Sequence, residues 1–196
     1  GDTVSLAITG SEAIQQPVCT FASGGANMAN SPSYSGSGTS WTASILVADG
    51  DTNGDVTFSC TFEDVAGNAG AAADTTADTG DIEVENTHPT VTAFSFNDVA
   101  MKTGDTPTLT LTFSEAVVGF ASSADVNCPN GALATMSSAN GGVTWTGTFT
   151  PTANTEDDTN VCSLGTSYTD ANGNSGPSSD TGNYAVETQA PSVNSI

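Results

Sequence analysis

Carboxylates are the one reactive group this chain has in quantity: 22 Asp and Glu stand against a single base, Lys102. Some of them recur in a fixed setting. The phrase DVAGNAG at residues 64–70 returns as DANGNSG at residues 170–176. Each copy leads to a Val-Glu pair, Val84-Glu85 or Val186-Glu187, and then to a proline, Pro89 or Pro191. Two readings are open. Asn and Gly tolerate positive φ, so the phrase serves as a tight hairpin connection. Calcium takes about six to eight oxygens from carboxylates, amides and backbone carbonyls. A turn Asp beside a boundary Glu offers that chemistry, which makes Asp64, Glu85, Asp170 and Glu187 candidate Ca2+ ligands, with Asn68 and Asn174 as turn residues or carbonyl donors.

A second acidic stretch, DGDTNGD at residues 49–55, matches the opening of a calcium loop, with Asp49, Asp51, Asn53 and Asp55 at alternate positions. The twelfth position, where such a loop needs a bidentate Glu, is Cys60. The second half of the chain keeps acids here but not their spacing, so an acidic hairpin turn is the stronger reading. Catalysis has little to work with. The lone histidine, His88, precedes Pro89 in a linker, whereas a Ser-His-Asp triad needs its base in a packed site. It reads as a packing or spacer residue between domains. The acids fall in turns rather than converging as a glycosidase pair, and no four-ligand zinc set exists. An enzyme is not expected.

The four cysteines divide two and two: Cys19 with Cys60, and Cys128 with Cys162. Matched placement predicts one disulfide per repeat, on facing strands, and an oxidising compartment. The net charge of −21 repels nucleic acid and anionic membrane, both of which need Lys and Arg as partners. It calls for counter-ions, either divalent cations or salt. No apolar run approaches the ~18 residues of a membrane span.

These residues need elements to hold them, and the chain announces the elements twice. GDT at residues 1–3 opens the alternating run Val4, Leu6, Ile8; GDT at 104–106 opens Leu109, Leu111, Phe113. Alternation of apolar and polar residues is strand periodicity. SEAI at 11–14 is echoed by SEAV at 114–117, and Trp41 by Trp145, each opening a strand after a Gly/Ser-rich loop. The tryptophans read as sandwich core in preference to sugar platforms. The second cysteine of each pair lies in the strand before the repeated phrase. Short alternating strands with Gly, Asn and Pro turns between them predict an all-β sandwich in each half.

FSEAVVGF at 113–120, FTPTAN at 149–154, YTDANGNSG at 168–176 and VETQAPSV at 186–193 resemble bacterial immunoglobulin-like repeats of large surface adhesins. The resemblance implies tandem immunoglobulin-like Greek-key β-sandwiches, an extracellular or cell-surface location, and a rod that calcium often stiffens. The expected division is 1–87 for repeat 1, lacking its first strand, 88–189 for repeat 2, and 190–196 for the start of a following repeat. The function expected is a structural extender or fibre-forming segment; the alternative is an adhesin module that grips glycan or a surface protein through its loops. Before its GDT phrase the second repeat carries an extra apparent strand, residues 90–96, which residues 191–196 begin to repeat. Either the repeats form one continuous array, or identical subunits join head to tail by donating that strand.

Overall fold

A computed structural model of the chain describes residues 1–76 and 81–193. It divides into two compact units, Gly1–Thr87 and His88–Ile196. Residues 194–196 of the expected tail strand lie outside the described residues.

Unit 1 contains β1 (Thr3–Thr9), β2 (Val18–Ser23), β3 (Ala26–Asn27), β4 (Ser33–Ser37), β5 (Ser40–Leu46), β6 (Gly54–Thr61) and β7 (Glu83–Val84). One sheet runs β1-β5-β4 and the other β3-β2-β6-β7. Because side chains alternate across a strand, one face of each sheet is apolar. Val4, Ala43 and Ile45 from the first sheet meet Cys19, Phe21, Cys60 and Val84 from the second in a common core. The pairings are antiparallel, from Thr3↔Leu46 to Thr9↔Ser40 in one sheet and from Val18↔Thr61 to Ser23↔Val56 in the other. Among the described residues β1 pairs with β5 alone, so its other edge carries no strand.

Unit 2 contains β8 (Val91–Phe96), β9 (Ala100–Lys102), β10 (Thr108–Phe113), α1 (Ser122–Asp125), β11 (Val126–Asn127), β12 (Gly131–Leu133), β13 (Ser137–Ser138), β14 (Thr144–Pro151), β15 (Glu156–Asn160), β16 (Ser163–Leu164), β17 (Ser179–Asp180) and β18 (Tyr184–Glu187). The main sheet runs β12-β14-β10-β8, with β13 beside β14; shorter sheets run β11-β16-β17 and β15-β18-β9. The β9–β18 pairing is parallel. Here β10 has a neighbour on both edges, and Leu109 and Leu111 are wholly buried.

The core of unit 2 is aromatic. Tyr184 stands 5.0 Å from Phe96 and 5.7 Å from Phe149, and Tyr168 4.9 Å from Phe113, ring centre to ring centre. Tilted and edge-on contacts of this kind add to the gain from area alone. A buried phenol needs a partner. Tyr168 donates to the Pro177 carbonyl and Tyr184 to the Pro129 carbonyl, each at 2.6 Å. Burial, then the nearby charge of Asp125, pushes the Tyr168 hydroxyl up to about 12; burial, then Asp157, does the same for Tyr184.

Both disulfides form, Cys19–Cys60 and Cys128–Cys162. They do not bridge opposite faces. Cys19 and Cys60 are direct neighbours across β2 and β6. Cys128 and Cys162 continue the antiparallel ladder of β11 and β16 by one position. Each bond therefore staples adjacent strands within a sheet. The tryptophans also differ from expectation. Trp145 is partly buried, packs 4.8 Å from Phe120 and donates its indole N–H to the Gly142 carbonyl. Trp41 lies half-buried outside the unit 1 core cluster.

Candidate functional site

The repeated phrase folds the same way in both units. Asp64 Oδ1 accepts the Asn68 backbone N–H at 2.8 Å, and Asp64 Oδ2 accepts the Asn68 side-chain amide at 2.7 Å. Asp170 Oδ1 accepts the backbone N–H groups of Asn172 and Asn174, both at 2.8 Å, and Asp170 Oδ2 accepts the Asn174 side-chain amide at 2.9 Å. The Asp closes the loop and the Asn four residues on clasps it from the other side. Gly67 and Gly173 between them sit at φ of 91° and 96°, a region where a side chain is strained.

The last glycine of the phrase has a different task. A Cβ on Gly70 would come within 2.2 Å of the Phe62 ring, and one on Gly176 within 1.9 Å of the Tyr168 ring. Both aromatics stand two residues before the Asp, so the turn folds back and lays a bare backbone on its own ring. The repeated unit is thus aromatic-x-Asp-x-x-Gly-Asn-x-Gly. The sequence showed the final glycine in both copies but not its contact with the aromatic two residues before the Asp, although both recur at fixed spacing.

These turns also carry the electrostatics. The Asn68 side-chain amide, with backbone N–H groups, holds the exposed Asp64 carboxyl below the usual aspartate range. Burial pushes Asp170 up, but the hydrogen bonds from Asn174, Asn172 and Gly173 outweigh it and leave the carboxyl lowered from 3.8. A carboxyl lowered by folding contributes stability that is present above its unfolded value and lost as pH falls through the folded one. The melting temperature should therefore drop below about pH 4. Asp170→Asn keeps an acceptor for the backbone amides but loses the charge and the Asn174 clasp. Its deficit against the natural chain should be widest at pH 5–7 and shrink towards pH 2, as thermal melts across that range will read. A deficit that stays constant with pH would refute the ionic contribution.

The other predicted ligands have local roles too. Glu85 Oε1 accepts the Thr87 N–H at 2.7 Å and the Asn53 side-chain amide at 3.1 Å, and Glu187 Oε1 accepts the Gln189 N–H at 3.0 Å. In the 49–55 loop, Asp51 is buried, accepting the Ala29 and Ala48 N–H groups at 2.7 and 2.8 Å. Asn53 reaches across to Asn86, Glu85 and Thr87, tying the loop to the end of β7. Asp49 and Asp55 are exposed. Among the described residues no three His, Cys, Asp or Glu side chains gather closely enough to hold a metal. Asp51, Asp64, Glu85, Asp170 and Glu187 thus each accept a backbone N–H from a residue two to four positions away. His88 is exposed and its Nδ1 lies 2.8 Å from the Ser175 carbonyl, beside the unit 2 turn.

One further feature stands out in unit 1. A groove of about 830 Å3 follows β1, lined among others by Leu6, Ile8, Val56, Phe58, Phe62 and Ile82. Leu6 and Ile8 are half-buried there.

Mostly antiparallel sheets closed over a shared core, stapled by disulfides and ended by the same capped turn, make each unit an immunoglobulin-like β-sandwich. The family model described as bacterial Ig-like domain matches residues 85–186, just over half of the chain. The chain belongs to that family. Among solved structures, it is similar to the D00-D0 domain of intimin, with 16% identity and a TM-score of 0.35 over 94% of this chain and 92% of that one. The titin domains z1z2, solved in complex with telethonin, align at 11% identity and a TM-score of 0.31 over 98% and 90%. No curated protein matches the chain. No helix among the described residues is long and apolar enough to cross a membrane.

Proposed function

We propose that this chain is a structural segment of an extracellular surface protein, extending or assembling an appendage. The observation that carries this reading is where the repeated residues go. The Asp, Asn and Gly of both turns and all four cysteines make contacts inside their own unit, and they serve to hold strands and close loops. A chain that repeats its fastenings and varies its loops is suited to bearing tension between neighbours. Disulfides fit an oxidising exterior. The competing reading, a loop-borne binding module, makes the opposite prediction in a simple assay. Immobilised panels of glycans and surface proteins should retain this chain no better than an unrelated acidic sandwich domain; saturable retention by one member would favour the binding reading.

Calcium belongs to the proposal in a lesser role. A surface of −21 attracts cations. The pairing of β7 with the start of β6 holds Glu85 at the other end of that strand from Asp64, so each carboxylate would take calcium separately. Calcium bound at Asp64, Glu85, Asp170 or Glu187 should raise the melting temperature beyond sodium chloride of equal ionic strength. The double variant Asp64→Ala with Glu85→Ala should lose unit 1's share of that difference. Equal shifts with calcium and sodium would assign the effect to screening alone.

A further inference from the structure

We propose that one sheet face of each unit, β1-β5-β4 in unit 1 and β12-β14-β10-β8 in unit 2, is the surface on which a second copy of this chain lies alongside. This deepens the structural reading given above and rests on it.

Charge is divided between the two sides of each sandwich. In unit 2 the strands β8, β10, β12, β13 and β14 hold no charged residue. The strands that meet them across the core hold Lys102, Glu156, Asp157, Asp158, Asp180 and Glu187. Unit 1 repeats the division: β1, β4 and β5 hold none, whereas Asp55 and Glu83 stand on β6 and β7. With 12% charged residues in the chain, the uncharged strands would carry about five by composition alone. Strand propensity explains why Thr is common on them, but both sides of each sandwich are strands, so it does not explain the division.

Hydroxyls stand on these faces in rungs. Leu109, Leu111 and Phe149 point into the core, so the alternate residues of β10 and β14 point outward. Thr108, Thr110 and Thr112 stand directly opposite Thr148, Thr146 and Thr144. In unit 1 the rungs are Ser5–Ser44–Ser33 and Thr9–Ser40–Ser37. A hydroxyl both donates and accepts, so an array of hydroxyls is complementary to a copy of itself; an array of carboxylates is not. Distance then selects the faces that can meet. Stacked sheets lie about 10 Å apart, about one Debye length at 0.1 M salt. Two charged faces stacked this way would hold like carboxylates within that reach. Two uncharged faces leave the charged sheets about 30 Å apart, about three Debye lengths, because an uncharged sheet of each copy lies between them. For a chain of −21, self-repulsion penalises this stacking far less. Four strands about 20 Å long offer about 400 Å2, half of what each partner gives to a standard stable interface. The contact is therefore weak, and the charges left in the turns make it strengthen with salt.

Sedimentation equilibrium of the full chain in the millimolar range should show reversible association that strengthens from about 0.05 M to about 0.5 M sodium chloride. A variant with two aspartates on each face, Thr9→Asp and Ser35→Asp with Thr146→Asp and Thr150→Asp, should associate about tenfold more weakly, because stacking brings these exposed positions together. A control adds the same charge at exposed positions off both faces: Gln16→Asp, Ala71→Asp, Thr166→Asp and Ser178→Asp. It should associate within about twofold of the natural chain at the higher salt. Melting curves select conditions in which both variants are folded. A natural chain that stays monomeric at every salt concentration overturns the proposal, as does association that both sets of aspartates weaken alike or leave unchanged. Retention on an uncharged polysaccharide that the face aspartates abolish would assign the faces to that ligand and also overturn it. A monomer with no retention leaves the structural reading standing, since its assay does not depend on self-association.

Discussion

Replacing Cys19 and Cys60 by alanine lowers the stability of unit 1 by about 4 kcal/mol, and replacing Cys128 and Cys162 does the same to unit 2. The bonds close loops with sequence separations of 41 and 34 residues, and the entropy removed from the unfolded chain grows only slowly with that length. The two losses should therefore be similar. For domains of this size, 4 kcal/mol corresponds to a fall in melting temperature of roughly 15–30 °C. Local pairing in the folded state does not depend on the sulfurs. Cys60 exchanges both backbone bonds with Ala73, at 2.8 and 2.9 Å, and the Cys19 N–H donates to the Tyr34 hydroxyl at 2.7 Å. The strands should keep their register until the unit melts, so the effect appears as lost cooperative stability and not as fraying. Calorimetry of each variant should show one transition moving and the other staying in place. A melting curve unchanged by loss of either disulfide would contradict the account.

Gly176→Ala is the second large effect expected. The added Cβ would sit 1.9 Å from a Tyr168 ring carbon, and that ring is fully buried between Phe113 and Phe120. With no room for the ring to turn aside, the backbone must move. That strains the Asp170 clasp and the Tyr168–Pro177 hydrogen bond together. Overpacking of a filled core costs about 1–3 kcal/mol, and a weakened buried hydrogen bond adds to it. The matching change, Gly70→Ala, meets the half-buried Phe62 and should cost less, because that ring borders an open groove. Denaturant unfolding of both variants gives the comparison; equal losses in the two units would overturn the steric argument.

Strand periodicity made the fold legible. Val4, Leu6 and Ile8 and their counterparts Leu109, Leu111 and Phe113 alternate because a half-buried strand must, and β1 and β10 form where that alternation lies. The repeat itself brought out the Cys pairs and the Asp-Asn turns. What stayed hidden depended on tertiary contact. Nothing local distinguishes a glycine that bends the chain, such as Gly173, from one that lies under a ring, such as Gly176. Asp51 has the spacing of a calcium ligand because turn chemistry and calcium chemistry use the same oxygens; only the fold shows that its oxygens cap Ala29 and Ala48. The cysteines marked their partners but not their sheet, since adjacent and facing strands present the same alternation.

Stretching the chain by its ends tests most directly whether it bears tension as two fastened units. Under rising force it should extend in two discrete steps, one per unit, each releasing only the residues outside its disulfide loop. In reducing buffer the steps should lengthen by about 14 nm and about 12 nm, the reach of 41 and 34 freed residues. Smooth extension at low force with no discrete steps would contradict the structural role.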